Sequence, residues 1–219
     1  MLVALIIYLL KRRVSAWRFL IKLSRTVCYI ASSLLFSIAA KSQDTKLNYN
    51  IIKGGKVIGK AVAIKIVQGA TTKYQMSTDT KALYIVSIEV STREESVFDN
   101  GMLIRSEFSQ KTNGSVKVNT HVNWDGLAYQ FINNGEIAIS KHKSIMANMM
   151  MLFFSYPDPS LKVFTDHFHT FIPIKKLSAE EYKITLPNGT EKHFFYKNGI
   201  CHKLHTKSTF YDVTMELAL

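Results

Sequence analysis

Two cysteines and four prolines are all that this 219-residue chain has to staple or stiffen it. Cys28 lies in the N-terminal segment, so only Cys201 remains beyond it, which excludes an internal disulfide in the rest of the chain. Acidic residues are missing altogether from residues 1–42, which hold seven of the 28 basic ones: Lys11, Arg12, Arg13, Arg18, Lys22, Arg25 and Lys41. The remainder of the chain carries 21 basic against 16 acidic residues, an ordinary solubility charge with lysines scattered singly. With no arginine-rich stripe, the overall +12 gives no reason to expect a nucleic-acid partner. No apolar run reaches the roughly 20 residues of a membrane-spanning helix. Serine nucleophile elbows, phosphate-binding glycine loops and paired catalytic carboxylates are also missing as sequence patterns, so no enzyme class is indicated.

Residues 1–42 read as an address rather than part of a fold. The apolar run MLVALIIYLL is followed by the basic spacer KRRVSAWRFLIKLSRT and a second apolar run, VCYIASSLLFSIAA. The second run has the anatomy of a secretory signal: basic flank, apolar stretch, small residues. Ala40 and Ser42 stand at positions −3 and −1 for cleavage before Gln43. An uncleaved signal anchor, or a true start near residues 14–23, fits the same pattern. Basic residues before the second run would keep that end in the cytoplasm and send the remainder across. The expectation is a signal helix or anchor over 1–42 and one exported domain over 43–219, in the periplasm or outside the cell.

That domain is punctuated by turn signals. Asn-Gly occurs at 100–101, 113–114, 134–135, 188–189 and 198–199, with Gly54-Gly55 and Asp125-Gly126 in addition. Asn-Gly is the strongest short-range hairpin signal, because both residues tolerate the positive φ of a type I′ turn. The intervals LNYNIIK, KVIGKAVAIKIVQ, ALYIVSIEVST, GMLIRSEFSQ and SVKVNTHVNW read as strands. Near the C-terminus, Tyr211, Val213, Met215 and Leu217 alternate with polar residues at period two. KSIMANMMMLFFSYPDPS, 143–160, is the exception: too apolar for a surface loop and stopped by Pro157 and Pro159, it predicts a short helical segment near 144–154. SAEEY, 178–182, predicts a helical turn with Ser178 as cap. The fold class expected is all-β and mainly antiparallel: a curved sheet, half-barrel or barrel.

The order of LNYNIIKGGKVIG, DNGMLIRSEFSQKTNG, KITLPNGTEKHFFYKNGI and STFYDVTMEL resembles that of an uncharacterised family of exported bacterial all-β proteins, the domain of unknown function numbered 6134. The resemblance covers nearly all of residues 47–217. Such proteins look distantly similar to periplasmic lipoprotein carriers, whose half-barrel wraps a helix. The resemblance implies export and fold, and carries no catalytic residues.

Candidate metal ligands are histidines. In HFFYKNGICHKLHTK, 193–207, a two-residue Asn198-Gly199 turn would put His193 and His202 on one side of the sheet and Cys201 and His205 on the other. Cys201 and His205 would then be roughly 13 Å apart along their strand, too far to share a metal ion. His193 and His202 could meet, with His121 as a third ligand, but no carboxylate is placed beside them. His167 and His169 in DHFHTF would share a strand face about 6.6 Å apart, with Asp166 pointing away. Cys201 lacks an activating neighbour and reads as a small apolar filler. No metal or other cofactor is expected.

The functional lead is MANMMMLFFSY, 146–156. Methionine and aromatic side chains make adaptable linings for lipids, so Met146, Met149, Met150, Phe153 and Phe154 are the candidate lining of an apolar ligand site. The leading expectation is an exported, non-enzymatic domain that binds or carries a lipid or other apolar molecule, with membrane contact only through the N-terminal segment. The alternatives are a cell-envelope module with a protein partner and, third, a metal-dependent hydrolase using the histidines.

Overall fold

The computed structural model describes residues 44–83, 87–140, 144–209 and 211–218. The expected signal helix or anchor, the expected cleavage position and Cys28 lie outside the described residues. Chain contacts set Ser42–Leu219 apart as one compact unit.

Eight strands run in sequence: β1 (Thr45–Lys53), β2 (Lys56–Gln68), β3 (Thr71–Leu83), β4 (Ser87–Asp99), β5 (Met102–Thr112), β6 (Ser115–Trp124), β7 (Tyr129–Asn133) and β8 (Glu136–Ser140). A 3₁₀ turn, Met149–Phe153, and the ribbon of β9 (Lys162–Thr165) and β10 (Thr170–Pro173) come next. The chain ends with β11 (Lys175–Lys176), β12 (Glu181–Thr185), β13 (Glu191–Lys197), β14 (Ile200–Lys207) and β15 (Asp212–Leu217).

The order β11-β12-β13-β14-β15-β1-β2-β3-β4-β5-β6-β7-β8 makes one open, curved 13-stranded sheet whose edges are β11 and β8. Every pairing between adjacent strands of the sheet is antiparallel. The all-β, half-barrel expectation therefore holds. The first and last strands meet in the interior of the sheet, Ile51 opposite Met215, so the chain must pass from one sheet edge to the other between β8 and β11. Residues 144–174 make that passage along the apolar face and fill it, which is why a methionine-rich stretch lies here rather than in a surface loop.

Turn chemistry is as the sequence predicts at four of the Asn-Gly pairs: Asn100, Asn113, Asn134 and Asn198 have φ between 48° and 53°, each followed by a glycine at positive φ. At Asn188-Gly189 only the glycine is left-handed, and Asn188 Oδ1 instead accepts the Thr190 N–H at 3.1 Å. Bulges at Ile51/Ile52, Val97/Phe98, Gln110/Lys111 and Phe195/Tyr196 add curvature. Where Gly59 on β2 pairs with Thr80 on β3 the backbones come so close that a Cβ on Gly59 would stand 2.3 Å from the Asp79 carbonyl oxygen.

Three local expectations need correction. ALYIVSIEVST is not one strand: β3 ends within it and β4 begins, with Leu83 opposite Ser87, and residues 84–86 lie outside the described set. The segment at 144–154 is helical only over Met149–Phe153, a five-residue 3₁₀ element bounded by the bonds Met151 N–H to Asn148 O and Phe154 N–H to Met151 O. Ser178 does cap, taking the Glu180 and Glu181 N–H groups at 3.3 and 3.1 Å, but the chain goes directly into β12 instead of a helix.

The core forms between the inner face of the sheet and the crossing segment. Tyr49, Ala63, Leu103, Val122, Phe194 and Tyr196 from the strands meet Ile145, Met150, Phe153 and Phe164 from the crossing. Buried phenols act as clips. Tyr196 Oη donates to the Leu152 carbonyl at 2.7 Å, and Tyr129 Oη donates to Leu103 O while accepting the Ile145 N–H.

Candidate functional site

A cavity of about 370 Å³ opens between the sheet and the crossing segment. Its apolar walls are Met76, Phe108, Leu204 and Met215 from strands, and Met149, Met150, Phe153 and Phe168 from the crossing. Its polar side is formed by Glu94, Asp166, His167 and Lys192. Two of these, Glu94 and Lys192, stand on the inner face of the sheet, where a charge is costly unless paired.

Glu94 is there because β4 alternates. Phe98 and Ser96 are buried, and two residues further back the same face presents Glu94, opposite Met76 on β3 and Phe108 on β5. Asp166 arrives from the crossing, in the turn between β9 and β10, and is almost fully buried. Ser106 Oγ donates to its Oδ1 in a very short bond, and Asn148 Nδ2 donates to its Oδ2 at 3.3 Å and to Ser96 Oγ at 2.7 Å. Thr120 Oγ1 donates to the Asp166 carbonyl at 3.1 Å. This network ties the crossing segment to β4, β5 and β6.

Two carboxyl groups so placed cannot both ionise easily. Burial and then the adjacent Asp166 hold the Glu94 carboxyl far above the ordinary range, while Lys192 offsets part of the rise. Burial raises Asp166 as well, but the Ser106 and Asn148 donors oppose it. The pair therefore keeps one proton, held mainly by Glu94. Burial depresses Lys192, and burial followed by the charge of Lys192 depresses His167. The pair left no pattern in the sequence, because Glu94 and Asp166 stand 72 residues apart and only the crossing brings them together.

Of the five predicted lining residues, Met149, Met150 and Phe153 border this cavity. Met146 does not: it is 47% exposed, near the Gly101 turn. Phe154 is buried against Tyr74, ring centroids 5.5 Å apart, rather than on the cavity wall. The spacing of a regular helix would have aligned all five, and the single 3₁₀ turn does not.

The histidines are placed differently from the sequence geometry. Tyr196 faces Cys201 as predicted, but a bulge then makes His202 an extra residue, so His193 faces His205 rather than Leu204. Their rings lie 6.3 Å apart on the outer face, and each has a carboxylate that the sequence did not reveal. His193 Nδ1 is 2.8 Å from Glu181 Oε1, and His205 Nε2 is 2.7 Å from Asp212 Oδ1. His121 stands on β6, far across the sheet, and joins neither. Cys201 is fully buried on the inner face, where burial pushes its thiol up to about 12. His167 and His169 do not share a strand face. They sit in the β9–β10 turn, with His169 left-handed at φ 48° and stacked on Phe131 at 4.8 Å. Among the described residues no group of three or more His, Cys, Asp or Glu could hold a metal ion.

A second concavity, about 390 Å³, lies across β2 to β6 and is lined mainly by outer-face residues including Arg93, Glu95, Glu107 and His121. Lys73 and Arg105 already pair with Glu95 at 2.8 and 3.1 Å, so its polar groups form a solvated surface ladder.

Fold and site together define an open antiparallel half-barrel whose inner face is plugged by its own crossover segment, with a cavity between them that has a charged end. The chain belongs to the family described as domain of unknown function DUF6134, whose sequence profile matches residues 49–218. This is the family that the order of the turn and strand segments indicated. A comparison with curated proteins finds no match. Among solved structures, the chain is similar to a β-barrel-like protein of domain of unknown function DUF1849 from Brucella abortus. Identity is 11% over 79% of this chain and 95% of that one, with a TM-score of 0.48.

Proposed function

We propose that this is an exported, non-enzymatic domain that binds an amphipathic small molecule of the lipid or acyl-chain class in the cavity between sheet and crossing segment. The observation that carries the reading is the cavity itself: about 370 Å³, with methionine, leucine and phenylalanine contributed by both layers. The volume lies at the low end of the roughly 300–1,000 Å³ usual for small-molecule sites, which suits one chain better than a two-chain lipid. Methionines adapt to ligands of differing length, and four of the walls are methionine.

The test fills the cavity. Met76 is half-buried on β3 and borders it, so Met76→Trp extends bulk into the open space. An uncharged fluorescent naphthylamine dye should bind the wild type, and Met76→Trp should weaken it by about tenfold or more with little change in melting temperature. A folded Met76→Trp protein that binds the dye as the wild type does, or a wild type that takes up none, would refute the reading.

One observation favours a second role. Ile137 and Ile139 on β8 are 68% and 73% exposed, at a free edge of the sheet. An apolar edge strand is the kind of surface to which an envelope protein could add a strand.

A further inference from the structure

Lys192 occupies a position where the strand pattern calls for an apolar side chain. It precedes Phe194 and Tyr196 at period two on the inner face of β13, and both of those are buried. Its register neighbours are Ile184 on β12 and Thr206 on β14, also buried. Among the described residues no hydrogen bond or direct ion pair reaches its ammonium, and Glu94 attracts it only from farther off. The two carboxyl groups on the facing side are otherwise engaged: Asp166 accepts from Ser106 and Asn148, and Glu94 shares its proton with Asp166. His167 borders the same end of the cavity, half-buried, its ring edge-on to Phe108 at 5.3 Å, and it feels the charge of Lys192. Two nitrogen donors thus line one end of the cavity with no hydrogen bond or direct ion pair of their own among the described residues.

We propose that this end of the cavity is an anion site, in which Lys192 and His167 seat the carboxylate or phosphate head of a single-chain amphiphile whose chain lies against Met76, Met150 and Met215. The inference rests on the apolar-ligand reading above and adds the head-group chemistry. An anionic head would give the ammonium the charge-assisted partner it lacks. An alcohol would satisfy it only in part, and an amine would meet it as a like charge.

Titration calorimetry below the micelle concentration would compare dodecanoate, dodecyl phosphate, dodecanol, dodecylamine and inorganic phosphate on wild type, Lys192→Met and Lys192→Arg. Dodecanoate or dodecyl phosphate should bind about tenfold or more tighter than dodecanol, and the tighter of the two identifies the head group. Lys192→Met should abolish that preference while still taking up dodecanol, and Lys192→Arg should retain it. Melting curves should show the methionine variant folded, since it loses a charge that has no direct partner. Dodecanol binding as tightly as both anions, or an anion preference that survives in Lys192→Met, would overturn the anion site and leave the apolar-ligand reading intact. Inorganic phosphate binding as tightly as dodecyl phosphate would overturn the amphiphile. Failure of every twelve-carbon probe would overturn both.

Discussion

Glu94→Gln is expected to stabilise the protein at pH 8 and to leave it nearly unchanged at pH 4. Glu94 faces the cavity from β4, where burial and the neighbouring Asp166 push its carboxyl up to about 8. A carboxyl raised in the folded state binds its proton more tightly there than in the unfolded chain, where it titrates near 4.3. Its favourable contribution is thus complete below about pH 4 and is lost as pH rises through the folded value. Glutamine fills the same space, can still donate to Asp166 and never ionises. The gain at pH 8 should be on the order of 2–4 kcal/mol, and the slope of stability between pH 4 and 8 should flatten. Urea unfolding across that range provides the measurement. A variant that is less stable than wild type at pH 8, or that keeps the wild-type slope, would show that Glu94 ionises freely. A residue that lowers stability at neutral pH and could be replaced by its amide is one whose retention needs a functional reason, and the cavity supplies it.

Phe164→Ala is expected to cost about 3–5 kcal/mol, a large share of the roughly 5–15 kcal/mol that holds an ordinary domain together. Phe164 is fully buried on β9 and packs against Phe171 at 5.4 Å and Phe131 at 5.6 Å, centroid to centroid. Its N–H donates to the Ala147 carbonyl at 2.9 Å, so the residue anchors both ends of the crossing segment. Truncation leaves a hole under the wall of the cavity, and the measured midpoint in urea should fall with the slope unchanged. A loss below about 1 kcal/mol would mean that the crossing segment packs loosely and does not shape a defined cavity.

Most of the architecture could be read from local chemistry. Asn-Gly at four tight turns forces positive φ, and period-two alternation in the last strand places Met215 inward. The register beyond a turn could not be read, because a bulge adds one residue without a signature. The extra His202 moves His193 from Leu204 to His205 and changes which imidazoles meet. The charged end of the cavity did leave a trace: counting back in twos from Phe98 reaches Glu94, and from Tyr196 it reaches Lys192. Asp166 had none, since only the crossing of the sheet carries it to Ser106, 60 residues away. Met146 and Phe154 fall off the cavity wall because helical spacing does not apply where the chain makes one 3₁₀ turn.

Native mass spectrometry of the protein purified from its own host under gentle conditions is the most direct test that the cavity is a ligand site. The account predicts a discrete mass increment, removed by organic extraction and missing from Met76→Trp. Bare protein alone, with wild type and Met76→Trp indistinguishable, would contradict it.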